Sequence, residues 1–211
     1  MTTLNEIAYL VASRYGRPFD AQLVEEVAFA AKYWRAFLIR QDIEKNVKSP
    51  LYLQKITTKL EAVDELDNCY VKLGCPVLRT VVMVPMPVRT KTRSPFQYVG
   101  TGDMKHPFSY IPAERLFSIT GNKIVPDIIY YTYYNGYIYV YNTLTLEYLA
   151  VMHAFEDPYA AGESCITGSS CPTYDEPFFA PGDMVKTIID GLLSGTFSIT
   201  PPVDQEVTVK E

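Results

Sequence analysis

The sequence predicts an α+β fold: an N-terminal helical pair, an antiparallel β-domain with a Tyr-rich hairpin, a short C-terminal helix and an extended arm. Three observations carry this. Residues 1–48 repeat apolar side chains at helical spacing. Residues 49–182 change to β-branched and aromatic runs broken by Gly, Pro and Asn. Within them, Asp127–Tyr141 sets two such runs on either side of Asn135-Gly136, the residues a type I′ turn needs at its two positive-φ positions.

Thr3 and Glu6 have the spacing of a capping box, and Leu4, Ile7, Ala8 and Val11 recur at helical intervals until Gly16. Asp20 is the expected cap of a long helix reaching about Lys45, before Ser49-Pro50. This second helix carries two stripes. Val24, Val27, Ala31, Trp34 and Leu38 form one, and Phe29, Tyr33 and Phe37 form another, displaced around the cylinder. A helix packed on one side needs only the first, so the second calls for a further neighbour, this chain's own sheet or an adjacent subunit; the subunit is favoured. Ser49-Pro50 could add one helical turn up to Ile56.

The period changes from Thr57, where Leu60 and Ala62 are strand-like, and strands are further expected at Tyr70–Leu73, Val77–Val84, Phe96–Val99 and Phe108–Ile111, with Pro85 and Pro87 ending or edging the run that starts at Val77. In the central hairpin a two-residue loop fixes the register, Tyr134 opposite Tyr137 through Tyr130 opposite Tyr141. Ile129, Tyr131, Tyr133, Ile138 and Val140 then share a core face. Tyr130, Thr132, Tyr134, Tyr137, Tyr139 and Tyr141 make a phenolic slab suited to being covered by another molecule. A third run, Tyr148–Phe155, is expected to extend the hairpin into a meander. Asp183 should cap a helix over Met184–Leu193, with Val185, Ile188, Ile189 and Leu192 as its apolar stripe and Gly195 as its stop. Residues 183–195 thus make the helix and 196–211 the arm, ordered only if something holds it.

Composition limits the function. A formal charge of −5 disfavours tight nucleic-acid binding, which needs clustered Lys and Arg, while 17 Tyr and 15 Pro fit a β-rich, loop-rich chain. The chain opens without a secretory signal and contains no run of about 18 apolar residues, so a soluble protein of the cytoplasm, or one assembled there, is expected, with no membrane partner.

Candidate chemistry is sparse. Cys69-x5-Cys75-Pro and Cys165-x5-Cys171-Pro could meet as a four-thiolate zinc site or form a disulfide across the hairpin base, but zinc knuckles space their ligands by about two to four residues, and reduced thiols are the simpler reading. His106 and His153 are the only histidines, and His153, in a strand expected to face the sheet surface, suits a structural role. Glu156, Asp157, Asp175 and Glu176 could gather as a carboxylate cluster, though they lack the spacing of a metal loop. The Gly100-Thr-Gly-Asp103 loop is an incomplete phosphate motif, and no nucleophile elbow, zinc-protease helix or Walker loop occurs. No enzyme and no cofactor is expected. Arg89, Lys91 and Arg93 form an exposed basic loop, either a solvated turn or a contact to an acidic partner or DNA.

Several fragments, in order, resemble one family. They are Leu4-Asn-Glu-Ile-Ala8, Trp34-Arg-Ala-Phe-Leu-Ile-Arg40, Gly74-Cys-Pro-Val-Leu-Arg-Thr80, Phe108-Ser-Tyr-Ile-Pro112, Asn135-Gly-Tyr-Ile-Tyr139, Phe155-Glu-Asp-Pro158, and Cys171-Pro before an acidic pair and a helix beginning Asp183-Met. Nearly the whole chain is similar to the tail adaptor or ring (head-to-tail connector) proteins of crAss-like short-tailed phages. The resemblance implies a virion structural protein: a homo-oligomeric ring, usually twelve-fold, assembled in the host cytoplasm, docked below the portal protein and joined to other tail ring or tail tube proteins. It would surround the DNA as non-specific channel contents, and no active-site residues carry over. Phe29, Tyr33, Trp34, Phe37, Arg40, Arg89, Lys91, Arg93, Tyr130, Tyr134, Tyr137 and Tyr139 are the expected interface residues, with Trp34 in its own core and Arg40 solvated as the opposing reading for those two. A carbohydrate-binding module with a tyrosine stacking face is the alternative from a different class.

Overall fold

The computed structural model describes residues 2–47, 49–63, 77–91, 94–118, 128–143, 145–162 and 174–196. The expected strand at residues 70–73, all four cysteines, Arg93 and the arm beyond Thr196 lie outside them. The chain divides into two compact units, one made of residues 1–35 with those from 174 onward, the other of residues 36–173.

In the first unit, α1 (Leu4–Arg14) begins at the expected capping box. Glu6 N donates to Thr3 Oγ1 at 3.1 Å and Thr3 N to Glu6 Oε2 at 3.0 Å, which satisfies two of the helix's orphan donors. Leu4, Ile7, Ala8, Val11 and Ala12 are buried. The segment 174–180 follows the start of α1: Phe178 N donates to Thr2 O at 2.9 Å and Asn5 Nδ2 to Asp175 Oδ1 at 2.6 Å. At the other end Tyr15 donates its hydroxyl proton to Leu192 O at 2.8 Å, in α3 (Gly182–Leu193). This helix differs from expectation at its start. Pro181, not Asp183, holds the cap position, because the proline's fixed φ starts the helix without a side-chain bond. Its buried stripe is Met184, Val185, Ile188 and Leu192, with Met184 in the place expected of Ile189.

Helix α2 (Ala21–Glu44) runs through the last residues of the first unit into the second. Asp20 Oδ1 accepts from Gln22 N and Leu23 N as predicted. The buried stripe, however, is Leu23, Val27, Ala28, Ala31, Arg35 and Ile39, whereas Val24, Trp34 and Leu38 are only half-buried. A buried arginine displaces the core face around the cylinder from the one that apolar periodicity marks.

Among the described residues, the second unit is built on a seven-stranded sheet in the order β3-β7-β1-β2-β6-β5-β4. Its strands are β1 Gln54–Ala62, β2 Val77–Thr80, β3 Tyr98–Gly100, β4 Ser109–Tyr110, β5 Tyr130–Tyr134, β6 Tyr137–Tyr141 and β7 Tyr148–His153. The turn expected near Pro50 is a single 3-10 turn, Pro50–Tyr52, capped by Ser49. All pairings are antiparallel except that of β4 with β5, which is parallel. The hairpin register is the one its turn dictates, from Tyr134 opposite Tyr137 to Tyr130 opposite Tyr141, with Asn135 and Gly136 at φ 50° and 82°. The meander does not form. β7 leaves the hairpin to pair with β1, Gln54–Lys59 against Tyr148–His153, and Leu60–Ala62 of the same strand then pair with β2. β1 is long enough to serve both partners, so β2 takes the edge of β6 that a meander would have given to β7.

The core gathers Ile56, Leu60, Leu78, Tyr131, Ile138, Val140, Leu149, Val151 and Phe155. Each such side chain taken from water stabilises the fold by roughly 1.5–3 kcal/mol. β2 stops at Thr80, short of the expected Val84, because the chain turns to pass the hairpin tip, where Val84 N donates to Gly136 O at 2.7 Å. His153 is buried rather than at the sheet surface. Its Nδ1 accepts from Gln97 N at 3.2 Å, so Nε2 carries the proton and donates to Val88 O at 3.0 Å. Burial lowers its pKa, the Val88 hydrogen bond acting in the opposite sense.

Candidate interaction surfaces

The second stripe of α2 is open to solvent. Phe29, Tyr33 and Phe37 stand four residues apart with relative exposures of 71%, 59% and 38%. Trp34 is half-buried and meets Tyr33 edge-on, ring centroids 5.7 Å apart. An isolated exposed apolar residue is ordinary, but three aromatic rings in register on one helix face form a patch. Arg40 is exposed and bonds Glu44 at 3.2 Å, and Lys91 reaches the same carboxylate at 3.4 Å. Glu44 is held below its ordinary pKa by the Arg40 hydrogen bond first. Arg89 is exposed. The basic loop is thus partly answered by Glu44, and these surface ion pairs add little to stability.

The tyrosine slab is only partly free. Tyr134 is exposed, and Tyr130, Tyr137 and Tyr139 are half-buried, but Thr132 and Tyr141 are buried. The chain after β4 accounts for this end of the face, since Thr132 Oγ1 donates to Ile111 O at 2.7 Å. Burial pushes the Tyr141 hydroxyl pKa up to about 12, with a Thr132 hydrogen bond opposing it. On the core face Tyr131 is also pushed to about 12 by burial, and its hydroxyl shares a 2.8 Å hydrogen bond with Ser94.

Arg79 is the slab residue that sequence reasoning missed. It faces Glu61 across the β1–β2 pair and bonds it at 2.6 Å, and its guanidinium carbon lies 5.1 Å from the Tyr137 ring centroid. The Glu61 hydrogen bond, first, raises its pKa against the effect of burial. Its signal was the outward position between Leu78 and Thr80 in a strand beside a tyrosine run.

A metal-ligating cluster does not assemble among the described residues. No group of three or more His, Cys, Asp or Glu side chains there could hold a metal ion. Asp157 Oδ1 accepts from Tyr159 N at 2.9 Å and Asp175 from Asn5, so both carboxylates serve local turns or contacts. The thiols of Cys69, Cys75, Cys165 and Cys171 lie outside these residues. No described helix is long and apolar enough to cross a membrane.

No curated protein matches the chain. A protein-family model described as phage tail ring protein 2 matches residues 12–211, nearly the full length. On this match the chain belongs to the phage tail ring protein 2 family of crAss-like phages.

Proposed function

We propose that the chain is a non-catalytic structural subunit of a homo-oligomeric ring that joins portal and capsid to the tail and surrounds the DNA channel. The exposed rings of Phe29 and Tyr33, with Phe37 part-exposed one turn on, carry this reading, because a tail ring protein with aromatic rings open to solvent on one helix face has surface suited to a neighbouring copy. Trp34, Arg40, Arg89, Lys91, Arg93, Tyr130, Tyr134, Tyr137 and Tyr139 are proposed to flank or extend the contacts between subunits and between rings. A chain with net charge −5 also suits a channel that lets DNA slide, since strong phosphate contacts would hold it. The domain limits 1–48, 49–182, 183–195 and 196–211 are proposed as the working divisions of the subunit. The carbohydrate-platform reading is weaker, because Arg79 already lies over Tyr137 and Tyr139 is half-buried.

Native mass spectrometry of the purified chain, alone and with its portal protein, tests the proposal. A single closed oligomer, twelve copies on the family expectation, supports it. Monomer under both conditions overturns it.

A further inference from the structure

The outer face of the sheet beside the β5–β6 turn carries a connected row of side chains. Arg79 lies over Tyr137, Tyr137 stands opposite Tyr134, and a Cβ placed on the intervening Gly136 would come within 2.8 Å of Met83 Cε. Val81 N donates to Lys59 O at 2.9 Å, which brings β1 alongside. Val81, Met83 and Tyr134 are exposed, Met83 at 60%. The row therefore runs from cations, Lys59 and Arg79, to two phenol rings and the thioether that lies against the Gly136 turn between them. Glu61 pairs with Arg79, leaving the Lys59 charge in excess. A flexible thioether surface accommodates aromatic rings well.

Helix α2 presents the complement. Glu25 is exposed one turn before Phe29, and Tyr33 follows one turn later. Glu25 to Tyr33 covers about 12 Å along a helix axis, and the three strand spacings from β1 to β5 cover about 14 Å. Both surfaces place charge at one end and aromatic surface at the other, with opposite signs of charge.

The geometry points to α2 of one copy docking on this face of the next, with Glu25 toward Lys59, and Phe29 and Tyr33 against Tyr137, Tyr134 and Met83. The inference rests on the ring reading. A ring that closes by rotation joins two different patches of the same chain, and these two are matched in length, charge and chemistry.

The test uses the full chain, with native mass spectrometry and sedimentation. Tyr33→Glu and Met83→Glu each alter an exposed side chain, so circular dichroism should be unchanged while ring formation is lost. Mixed in equal amounts, the two should form a one-to-one dimer, because each supplies the half that the other lacks. Glu25→Lys should weaken association about tenfold, and adding Lys59→Glu to the same chain should restore it. Rings from both single variants, no dimer on mixing, or no rescue by the charge exchange would overturn the docking while leaving the ring reading in place. A wild-type chain that stays monomeric alone and with portal protein removes the ring reading and the docking together.

Discussion

Arg35 is fully buried in α2, where Nε donates to Phe179 O at 2.7 Å and the guanidinium lies 5.8 Å from the Phe178 ring centroid. Replacing it with leucine leaves that carbonyl without its donor, so Arg35→Leu should lose roughly 1–3 kcal/mol, read as a lower urea midpoint. An unchanged midpoint would contradict the role given to it. Periodicity does not find this residue, because a count of apolar positions passes over a charge and marks Val24 and Leu38 instead of the buried Leu23 and Ile39. His153 gives a second prediction at this scale. Its folded pKa is depressed by burial, so the neutral ring's contribution is complete above the unfolded value, about 6.5, and is lost as pH falls through the lower folded value. Urea midpoints should therefore fall more steeply below about pH 6.5 in the wild type than in His153→Gln. Equal slopes would show that the ring does not titrate this way.

Elements fixed by local chemistry were legible. The capping box of α1, the Asp20 cap of α2 and the register of the hairpin each follow from residues within a few positions of one another. Thr3→Ala should accordingly cost about 1 kcal/mol in thermal or urea unfolding. Gly136→Ala should cost about 1–2 kcal/mol, chiefly because φ at 82° is a conformation that L side chains resist, and the flexible Met83 end can move aside. A Gly136→Ala chain as stable as the wild type would argue against the type I′ turn. The placement of β7 was not legible in the same way. Its six pairs join Gln54–Lys59 to Tyr148–His153, and no local signal says which distant strand a buried run such as Leu149-Ala-Val151 will choose. The slab was half right for a related reason, since alternation puts Thr132 and Tyr141 on the outer face but cannot tell that Ile111 lies close by.

At the scale of the whole molecule, a subunit of the proposed ring would hold its neighbours firmly and DNA loosely. Its acidic balance predicts no stable duplex complex in filter binding at physiological salt, and retention of duplex at about 0.15 M salt would count against a sliding channel. The family was legible only from the order of many short fragments, and the surface proposed for assembly rests on a second aromatic stripe on α2. Hydroxyl-radical footprinting of the assembled particle against dissociated chain tests most directly whether copies cover that stripe. Oxidation of Phe29, Tyr33 and Tyr134 should fall severalfold on assembly while that of Phe19, exposed at 95%, stays high. Equal labelling of Phe29 and Tyr33 in both states would contradict the account.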